Sequence, residues 1–270
     1  MPLTCEDVDF DLKIAEFKIN GYTVFEDVIP HDIIDNIRDA YMPLLKNVMQ
    51  RETQIGSVEH GDVRTGLGKQ QRKNRFTVTI PWVKPFAEPA IYEHPVILEF
   101  LERYWQSPDF RIQCYHSNTP CPGTEFQAWH RDTQLLTPHQ GLNICPVVGV
   151  KFPLVDTCEA NGSIDVLPGT QYLADPDLEP RYDEILKCGR FESAHRVNLE
   201  KGSMWMQDVR MVHRGTPNRS DQPRSELVVC FARSWYRISG HDKVIPQTTY
   251  GELSERGEEL FAGWQVVDWS

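Results

Sequence analysis

The chain of 270 residues is long enough to bury a large core, and its 40% hydrophobic and 25% charged residues are ordinary for a globular protein. Its formal net charge of −11 argues against non-specific binding to nucleic acid or to an anionic membrane, because both need a basic surface. No apolar run has membrane-spanning length, and the first residues lack the basic and apolar regions of a signal peptide. The last residues are not a peroxisomal Ser-Lys-Leu address. We therefore expect a cytoplasmic protein.

The cysteines are spread along the chain without any Cys-x-x-Cys spacing. Their odd number, and the position of several inside apolar runs, favour buried thiols in a reducing compartment over a disulfide framework or a zinc site. The seven positions are Cys5, Cys114, Cys121, Cys145, Cys158, Cys188 and Cys230.

The N-terminal part combines helices with one short strand. Apolar residues at helical spacing predict a helix over residues 8–19, ended by Asn20-Gly21, and a second helix over about residues 30–51. Tyr22–Phe25, between them, is typical of a strand. A third helix is predicted over residues 90–105. This order indicates a sheet whose outer face is covered by helices.

Residues 52–74 are polar, contain four glycines and show neither helical nor strand periodicity. A connection of this length inside a compact domain is usually functional, so we interpret it as a candidate lid. It ends in the basic run Lys69–Arg75, which leads into a predicted strand, Phe76–Ile80. The run is either a solvated charged edge, or Arg72 or Arg75 helps to hold an anionic co-substrate.

From Phe110 onward, short alternating segments are separated by Pro, Gly and Asn clusters, which is typical of an all-β sandwich or barrel. The predicted strands are 110–116, 126–133, 147–155, 163–167, 196–199, 203–208 and 226–235. No repeat or boundary divides the sequence. We expect a single domain over residues 1–270, mainly β with flanking helices, in which a helical part (about 8–106) precedes a double-sheet barrel (about 110–236).

His130 and Asp132 lie two residues apart, so in a strand their side chains project from the same face. An imidazole and a carboxylate are two of the three ligands of a non-haem iron site, which needs two neutral nitrogens and one anionic oxygen. The pair alone is weak evidence, because such tripeptides arise by chance. A second histidine, His213, follows a later predicted strand, and Arg224 opens the next one. There its planar guanidinium can bind a carboxylate through two parallel hydrogen bonds.

The chain resembles the phytanoyl-CoA dioxygenase (PhyH) family in the order of these motifs, which are His130-x-Asp132, His213 in His-Arg-Gly-Thr-Pro-Asn-Arg-Ser, and Arg224. The opening Asn20–Phe25 and the turn Pro168–Thr170 are also similar, although Thr170 and Gln171 replace the family's usual Ser-His. The likeness spans about residues 10–236. It implies a double-stranded β-helix (jelly-roll, cupin-like) fold and an oxygenase that uses iron(II), 2-oxoglutarate and dioxygen.

The resemblance also implies roles for individual residues. The iron ligands would be His130, Asp132 and His213, and Arg224 would pair with the distal carboxylate of 2-oxoglutarate, with Arg214 and Arg219 as rivals. Gln127 and Thr216 are looser candidates for further co-substrate contacts. His116, at the end of a predicted strand, either lines the substrate pocket or is a structural histidine.

The implied reaction oxidises an unactivated C–H bond and releases succinate and carbon dioxide. Related halogenases have a small residue in the place of Asp132, so the carboxylate favours hydroxylation, desaturation or rearrangement. Apolar residues near the motifs favour a small, largely apolar metabolite and a tailoring step in natural-product biosynthesis; they are Trp82, Phe86, Phe126, Met204, Met206 and Met211. The alternatives are a cupin-like zinc or manganese isomerase or hydrolase, and a non-catalytic metabolite-binding barrel. The oligomeric state, including a homodimer, stays open.

Overall fold

The N-terminal helices and first strand form as their periodicity predicts. The computed structural model describes residues 2–51, 55–56, 58–132, 144–173, 184, 194–237 and 243–269. After a 3-10 turn (Cys5–Asp7) come helix α1 (Phe10–Asn20), strand β1 (Tyr22–Phe25) and helix α2 (His31–Arg51). The Asp9 carboxylate caps α1 by accepting from the Leu12 N–H at 3.0 Å, and Gly21, at φ 83°, ends that helix.

The predicted third helix is two helices, α3 (Pro89–Tyr92) and α4 (Pro95–Trp105). Pro95 has no N–H to donate to the preceding turn, so α3 cannot continue through it. His94 starts α4 instead, because its Nδ1 accepts from the Val96 N–H at 3.2 Å. The prediction of one helix over residues 90–105 is therefore wrong at this break.

The remaining elements of the core are strands and lie in two sheets. They are β2 (Leu67–Arg72), β3 (Arg75–Thr79), β4 (Phe110–Pro120), β5 (Val147–Pro153), β6 (Ile164–Val166), β7 (His195–Val197), β8 (Met204–Asp208), β9 (His213–Gly215) and β10 (Glu226–Arg233). The large sheet has the antiparallel order β1-β8-β5-β10-β4-β3-β2, and the small sheet the order β7-β6-β9. This is the mainly β, jelly-roll fold class that the sequence predicts, and the described residues form its two sheets.

The sequence reading stops at residue 236, but the chain continues into ordered elements. These are β11 (Val244–Pro246), α5 (Gln247–Tyr250), α6 (Glu255–Leu260) and β12 (Gln265–Val267). Strands β11 and β12 pair in parallel. Phe261 packs edge-on against Trp82 with ring centroids 4.6 Å apart, so this segment closes one end of the core.

Strand β5 shows how the large sheet separates its two faces. Val148, Val150 and Phe152 are fully buried in one apolar cluster with residues of α1, α2 and α4. The alternate residues Val147, Gly149 and Lys151 line a cavity on the opposite face. The small sheet bounds the same cavity through Ile164 and His213. The main core therefore lies between the large sheet and the helices, and the space between the two sheets is left for a ligand.

A β-bulge reverses the alternation along β4. Cys230 pairs with Cys114 while the next residue of β10, Phe231, pairs with Ile112, so Gln113 is the extra residue. On one side of the bulge Cys114 and His116 line the cavity, and on the other side Ile112 packs in the helix-covered core. Bulges of this kind often re-aim side chains beside functional sites.

Two further sequence predictions differ from the fold. The segment 52–74 contains strand β2, which forms a hairpin with β3, and residues 52–54 and 57 lie outside the described residues, so its role as a lid stays a prediction. The predicted strand 126–133 is irregular up to an isolated bridge between His130 and His213, and residue 133 is not described. Among the described residues, no helix is both long and apolar enough to cross a membrane.

Candidate active site

Two histidines and an aspartate converge at one side of the cavity. His130 lies in a bridge opposite His213, the first residue of β9, and the His130 and His213 ring centroids are 4.5 Å apart. Asp132 is held through its backbone, because its N–H donates to the Val209 carbonyl at 3.0 Å. Although the segment is irregular, its backbone hydrogen bonds to His213 and Val209 hold His130 and Asp132 side by side, as a strand would.

The donor atoms of the three residues are close enough to share one cation. Asp132 Oδ1 lies 3.4 Å from His213 Nε2 and 3.8 Å from His130 Nε2. One donor atom from each residue falls within a group no wider than 4.8 Å. Two imidazole nitrogens and one carboxylate oxygen are the donor set of the facial triad of non-haem iron oxygenases, which leaves other coordination positions open.

Backbone carbonyls orient both imidazoles. His130 Nδ1 lies 2.9 Å from the carbonyl oxygen of Ala128, and His213 Nδ1 lies 3.1 Å from that of Met211. A carbonyl only accepts, so His130 Nδ1 carries the proton in its bond and His130 Nε2 keeps its lone pair, whereas His213 Nδ1 lies between an accepting carbonyl and the donating amide of Gln207. A hydrogen bond from the other ring nitrogen is the usual support of a metal-ligating histidine.

The electrostatics of the site keep its donors in the forms that a metal needs. Burial, with the neighbouring His213, lowers the pKa of His130 to about 4, so its imidazole is neutral at physiological pH. Burial by itself would raise the pKa of Asp132, but His213, Lys151 and His130 outweigh it and hold that pKa well below its usual range. The site therefore presents a carboxylate beside a neutral imidazole.

A buried lysine supports the site, and sequence reasoning missed it. Lys151, on β5, is 2% exposed; its ammonium lies 4.6 Å from the Trp205 ring centroid and donates to the side-chain oxygen of Gln207. The Gln207 amide nitrogen in turn lies 2.9 Å from His213 Nδ1. Lys151 therefore holds the side chain of Gln207, which contacts the Nδ1 side of the His213 ring. The one available signal was a single lysine inside the otherwise apolar run of β5.

A second group in the cavity is built from two buried arginines. Arg224 donates through Nη2 to the Gly162 carbonyl at 2.8 Å, and its Nη1 lies 3.1 Å from Glu226 Oε2. Arg75 donates to the Thr216 carbonyl at 3.0 Å. Burial, with the nearby charge of Arg224, lowers the pKa of Arg75 to about 9. Within the described residues, Nε of each arginine is buried without a hydrogen-bond partner, so the pair has donors to spare for an anion.

The other arginines that the sequence offered for binding the co-substrate carboxylate lie away from this pair. Arg72 is exposed at the cavity rim, where its Nη1 donates to the Gln71 carbonyl at 3.1 Å. Arg214 is bound to the Asp165 carboxylate at 3.0 Å. Arg219 is exposed and does not line the cavity described here. Of the two residues that the sequence left open in the basic run, the geometry favours Arg75 over Arg72.

Gln127, Thr216 and His116 have different environments. Gln127 lines the cavity, and its side-chain oxygen accepts from the Gly215 N–H at 2.9 Å. The Thr216 hydroxyl donates to the Ser163 carbonyl at 2.6 Å and accepts from Arg196 at 2.7 Å, and Thr216 is not among the cavity-lining residues. A co-substrate contact through this hydroxyl therefore has no support in the geometry. His116 lines the cavity from β4.

The cavity has a volume of about 1000 Å³, and its lining is more polar than the sequence suggested. The apolar residues from which a largely apolar substrate was inferred do not line it. Five of them, Trp82, Phe86, Met204, Met206 and Met211, are buried in the apolar cores, and Phe126 is exposed. Among the described lining residues, seven are Lys or Arg and three are Asp or Glu. These six residues therefore give no support for a largely apolar substrate.

Solved structures share this fold at low sequence identity. AviO1 from Streptomyces viridochromogenes Tue57 aligns with a TM-score of 0.61 and 19% identity over 86% of this chain and 98% of its own. The epimerase SnoN, solved with Fe³⁺, alpha ketoglutarate and nogalamycin RO, gives 0.58 and 18% over 86% and 87%. HygX from Streptomyces hygroscopicus, solved with nickel, 2-oxoglutarate and hygromycin B, gives 0.57 and 14% over 87% and 89%.

The sequence itself identifies the family. The family model described as phytanoyl-CoA dioxygenase (PhyH) matches residues 17–225, which is most of the chain. The match contains all three metal-ligand candidates and both buried arginines. The chain belongs to the phytanoyl-CoA dioxygenase (PhyH) family.

Proposed function

We propose that this chain, an iron(II)- and 2-oxoglutarate-dependent dioxygenase by its family, hydroxylates, desaturates or rearranges a small metabolite in natural-product biosynthesis. The observation that supports this most directly is the convergence of His130, Asp132 and His213 on one point of a large cavity. Structural neighbours add support for the biosynthetic setting, since SnoN and the carbocyclase SnoK are both described as enzymes of nogalamycin biosynthesis.

The residues present fit the metal and the co-substrate. His130, Asp132 and His213 would hold iron(II) through two nitrogens and one carboxylate oxygen. When bound, iron and 2-oxoglutarate supply the oxidation of an unactivated C–H bond by dioxygen, with succinate and carbon dioxide as co-products. Asp132 occupies the place of an anionic ligand, which favours transfer of oxygen or removal of hydrogen over halogenation.

The two buried arginines are the proposed anchor for the distal carboxylate of 2-oxoglutarate. Arg75 and Arg224 face one cavity, and Glu226 compensates only one of their two positive charges. A carboxylate bound beside them in the cavity would complete the charge balance, because a guanidinium offers several donors to a carboxylate. Because both guanidiniums are almost fully buried, the resulting hydrogen bonds are shielded from competing water.

The lining of the cavity supports a substrate with polar, acceptor-rich groups. Its excess of Lys and Arg over Asp and Glu offers many hydrogen-bond donors to oxygen atoms of a ligand. Lys69, Arg72 and Arg237 are among these lining residues, and Arg72 and Arg237 are exposed. We therefore propose a polar metabolite in place of a largely apolar one.

An anaerobic titration tests the assignment. Iron(II) and then 2-oxoglutarate are added to the purified chain, and we expect the weak visible charge-transfer band of the bound pair, followed by succinate formation once oxygen is admitted. Turnover that depends on zinc or manganese and needs no 2-oxoglutarate would support the cupin-like alternative instead. Tight binding of both ligands without any succinate over a metabolite screen would indicate the non-catalytic barrel.

A further inference from the structure

A second cluster of metal-binding side chains lies in the same cavity. The donor atoms of Cys114, His116 and Cys230 all fall within 4.8 Å of one another. The two cysteines are buried, His116 is partly buried, and all three line the cavity. None of them is among the residues that converge on the iron site.

The local fold explains why these three side chains meet. Cys114 and His116 are two residues apart on β4, so they project from the same face, and Cys230 is the direct partner of Cys114 on β10. The bulge at Gln113 turns this part of β4 towards the cavity. On the other side of Cys230, its β5 partner is Gly149, which has no side chain to fill the adjacent space.

The space beside Gly149 has room for a small group without a clash. A Cβ placed on Gly149 would meet no atom closer than 3.7 Å, which is an ordinary van der Waals contact. The three donor residues and Gly149 all line the cavity. A cation held by them would keep one position directed into the cavity.

We propose that Cys114, His116 and Cys230 bind Zn²⁺ as a second metal site, with its fourth position open to the cavity. Two thiolates and one imidazole form the Cys₂His donor set that zinc uses in sites with three protein ligands and one exchangeable ligand. The fourth ligand would be water or an oxygen or sulfur donor of the bound metabolite. Two thiolates also neutralise the charge of the ion, so the buried site needs no further counter-ion.

The two clusters differ in the kind of metal that they favour. The iron site offers two nitrogens and a hard carboxylate oxygen, whereas the second cluster offers two soft sulfurs and one nitrogen. The thiolate-rich set favours zinc, and the nitrogen and oxygen set accommodates iron. This second site depends on its own geometry and stands whether or not the proposed oxidation is correct.

Metal stoichiometry and cobalt spectroscopy test the site. The full-length chain is reduced, freed of metal with a chelator and titrated with Zn²⁺ against a chromophoric competitor. We expect two bound equivalents in the wild type and one after the double substitution Cys114→Ser and Cys230→Ser. Cys158→Ser, which removes an exposed cysteine outside the cluster, is the matched control and should keep both.

Cobalt separates the two sites, and the comparison of wild type with Asp132→Ala does not depend on the folding of the cysteine variants. With Co²⁺ in place of zinc, we expect a thiolate-to-cobalt charge-transfer band in the wild type and in Asp132→Ala, which weakens the iron site only. Loss of the band in the double cysteine variant completes the assignment. Absence of that band in both wild type and Asp132→Ala, or recovery of Cys114 and Cys230 as a disulfide before reduction with no zinc uptake after it, overturns the proposal.

Discussion

His130 and His213 are joined through their backbones as well as by their side chains, since each donates its N–H to the carbonyl of the other at 3.0 Å. This reciprocal pair fixes the separation of the two imidazoles before any metal binds. A metal-binding site that is ordered in advance loses less conformational entropy when it closes on the ion. The bridge therefore explains how an irregular segment can position a ligand as well as a regular strand does.

Replacement of Asp132 tests the metal site most directly. Asp132→Ala removes the single anionic donor, so we expect iron(II) affinity to fall at least about 100-fold and 2-oxoglutarate turnover to disappear. Calorimetric or competition titration measures the affinity. Asp39→Ala, an exposed carboxylate on α2, is the control and should change neither quantity. Unchanged iron affinity in Asp132→Ala would remove this residue from the ligand set.

Three arginine variants separate the anion anchor from the cavity rim. Arg224→Leu and Arg75→Leu should each raise KM for 2-oxoglutarate about 10- to 100-fold, because a hydrogen bond to a charged group contributes about 1.5–3 kcal/mol. Arg72→Leu, at the exposed rim, should change it less than about twofold. Steady-state kinetics with varied 2-oxoglutarate measures the effect.

The conservative variant Arg224→Lys distinguishes binding from folding. It keeps the charge beside Glu226 but loses the planar fork, so we expect partial recovery of KM relative to Arg224→Leu. Thermal unfolding of each variant is recorded in parallel. A large effect of Arg72→Leu with none of Arg75→Leu would reverse the assignment within the basic run.

Gln207 is predicted to act on the metal through His213. Gln207→Ala removes the amide that lies 2.9 Å from His213 Nδ1, and the lost support should lower metal affinity about 10- to 100-fold. At saturating iron, KM for 2-oxoglutarate should stay the same, because Gln207 does not contact the arginine pair. Gln265→Ala, on the exposed strand β12, is the control. An altered KM with normal metal affinity would contradict a positioning role.

Proton titration of the metal-free protein tests the electrostatics. The pKa of His130 is lowered to about 4, mainly by burial, so its ring signals in NMR should show a midpoint near that value. The unfolded chain takes up this proton near its ordinary pKa of about 6.5. The folded state then binds fewer protons between these values, so stability should fall as the pH is lowered through this window.

Removal of the Asp132 charge is a second test of what sets the pKa of His130. Asp132 raises the pKa of His130, so Asp132→Asn should move the His130 midpoint further down. A midpoint for His130 close to its ordinary value in the wild type would contradict the lowered pKa.

Local sequence is sufficient to predict a helix or strand where a single apolar periodicity dominates. Helices α1 and α2 and strand β1 follow directly from apolar spacing and from the stop at Gly21. The set of His130, Asp132 and His213 was also identifiable, because residue type and order restrict it strongly even without coordinates. Both kinds of inference use information that lies within a few residues or within a known motif.

Other features depend on tertiary contacts that no local pattern specifies. Strand β9 is not among the predicted strands, because Gly215 and the residues after it are turn formers, yet its pairing with β6 is set across the sheet. Arg75 could not be separated from Arg72, because their burial differs only once the β2–β3 hairpin is placed. The apolar residues taken for substrate contacts are core residues, since hydrophobicity alone does not distinguish a core from a cavity wall.

The extra residue at Gln113 also has a consequence for how this enzyme could diversify. Position 118, which faces the cavity, can be exchanged to suit a new metabolite while positions 110 and 112 continue to pack under the helices. This is possible because the alternation between cavity-facing and core-facing residues reverses at the bulge. Deletion of Gln113 would reverse, in one half of β4, which residues face the cavity and which face the helix-covered core. Relatives that lack the insertion are expected to present a different set of side chains to their substrates, even where aligned residues are identical.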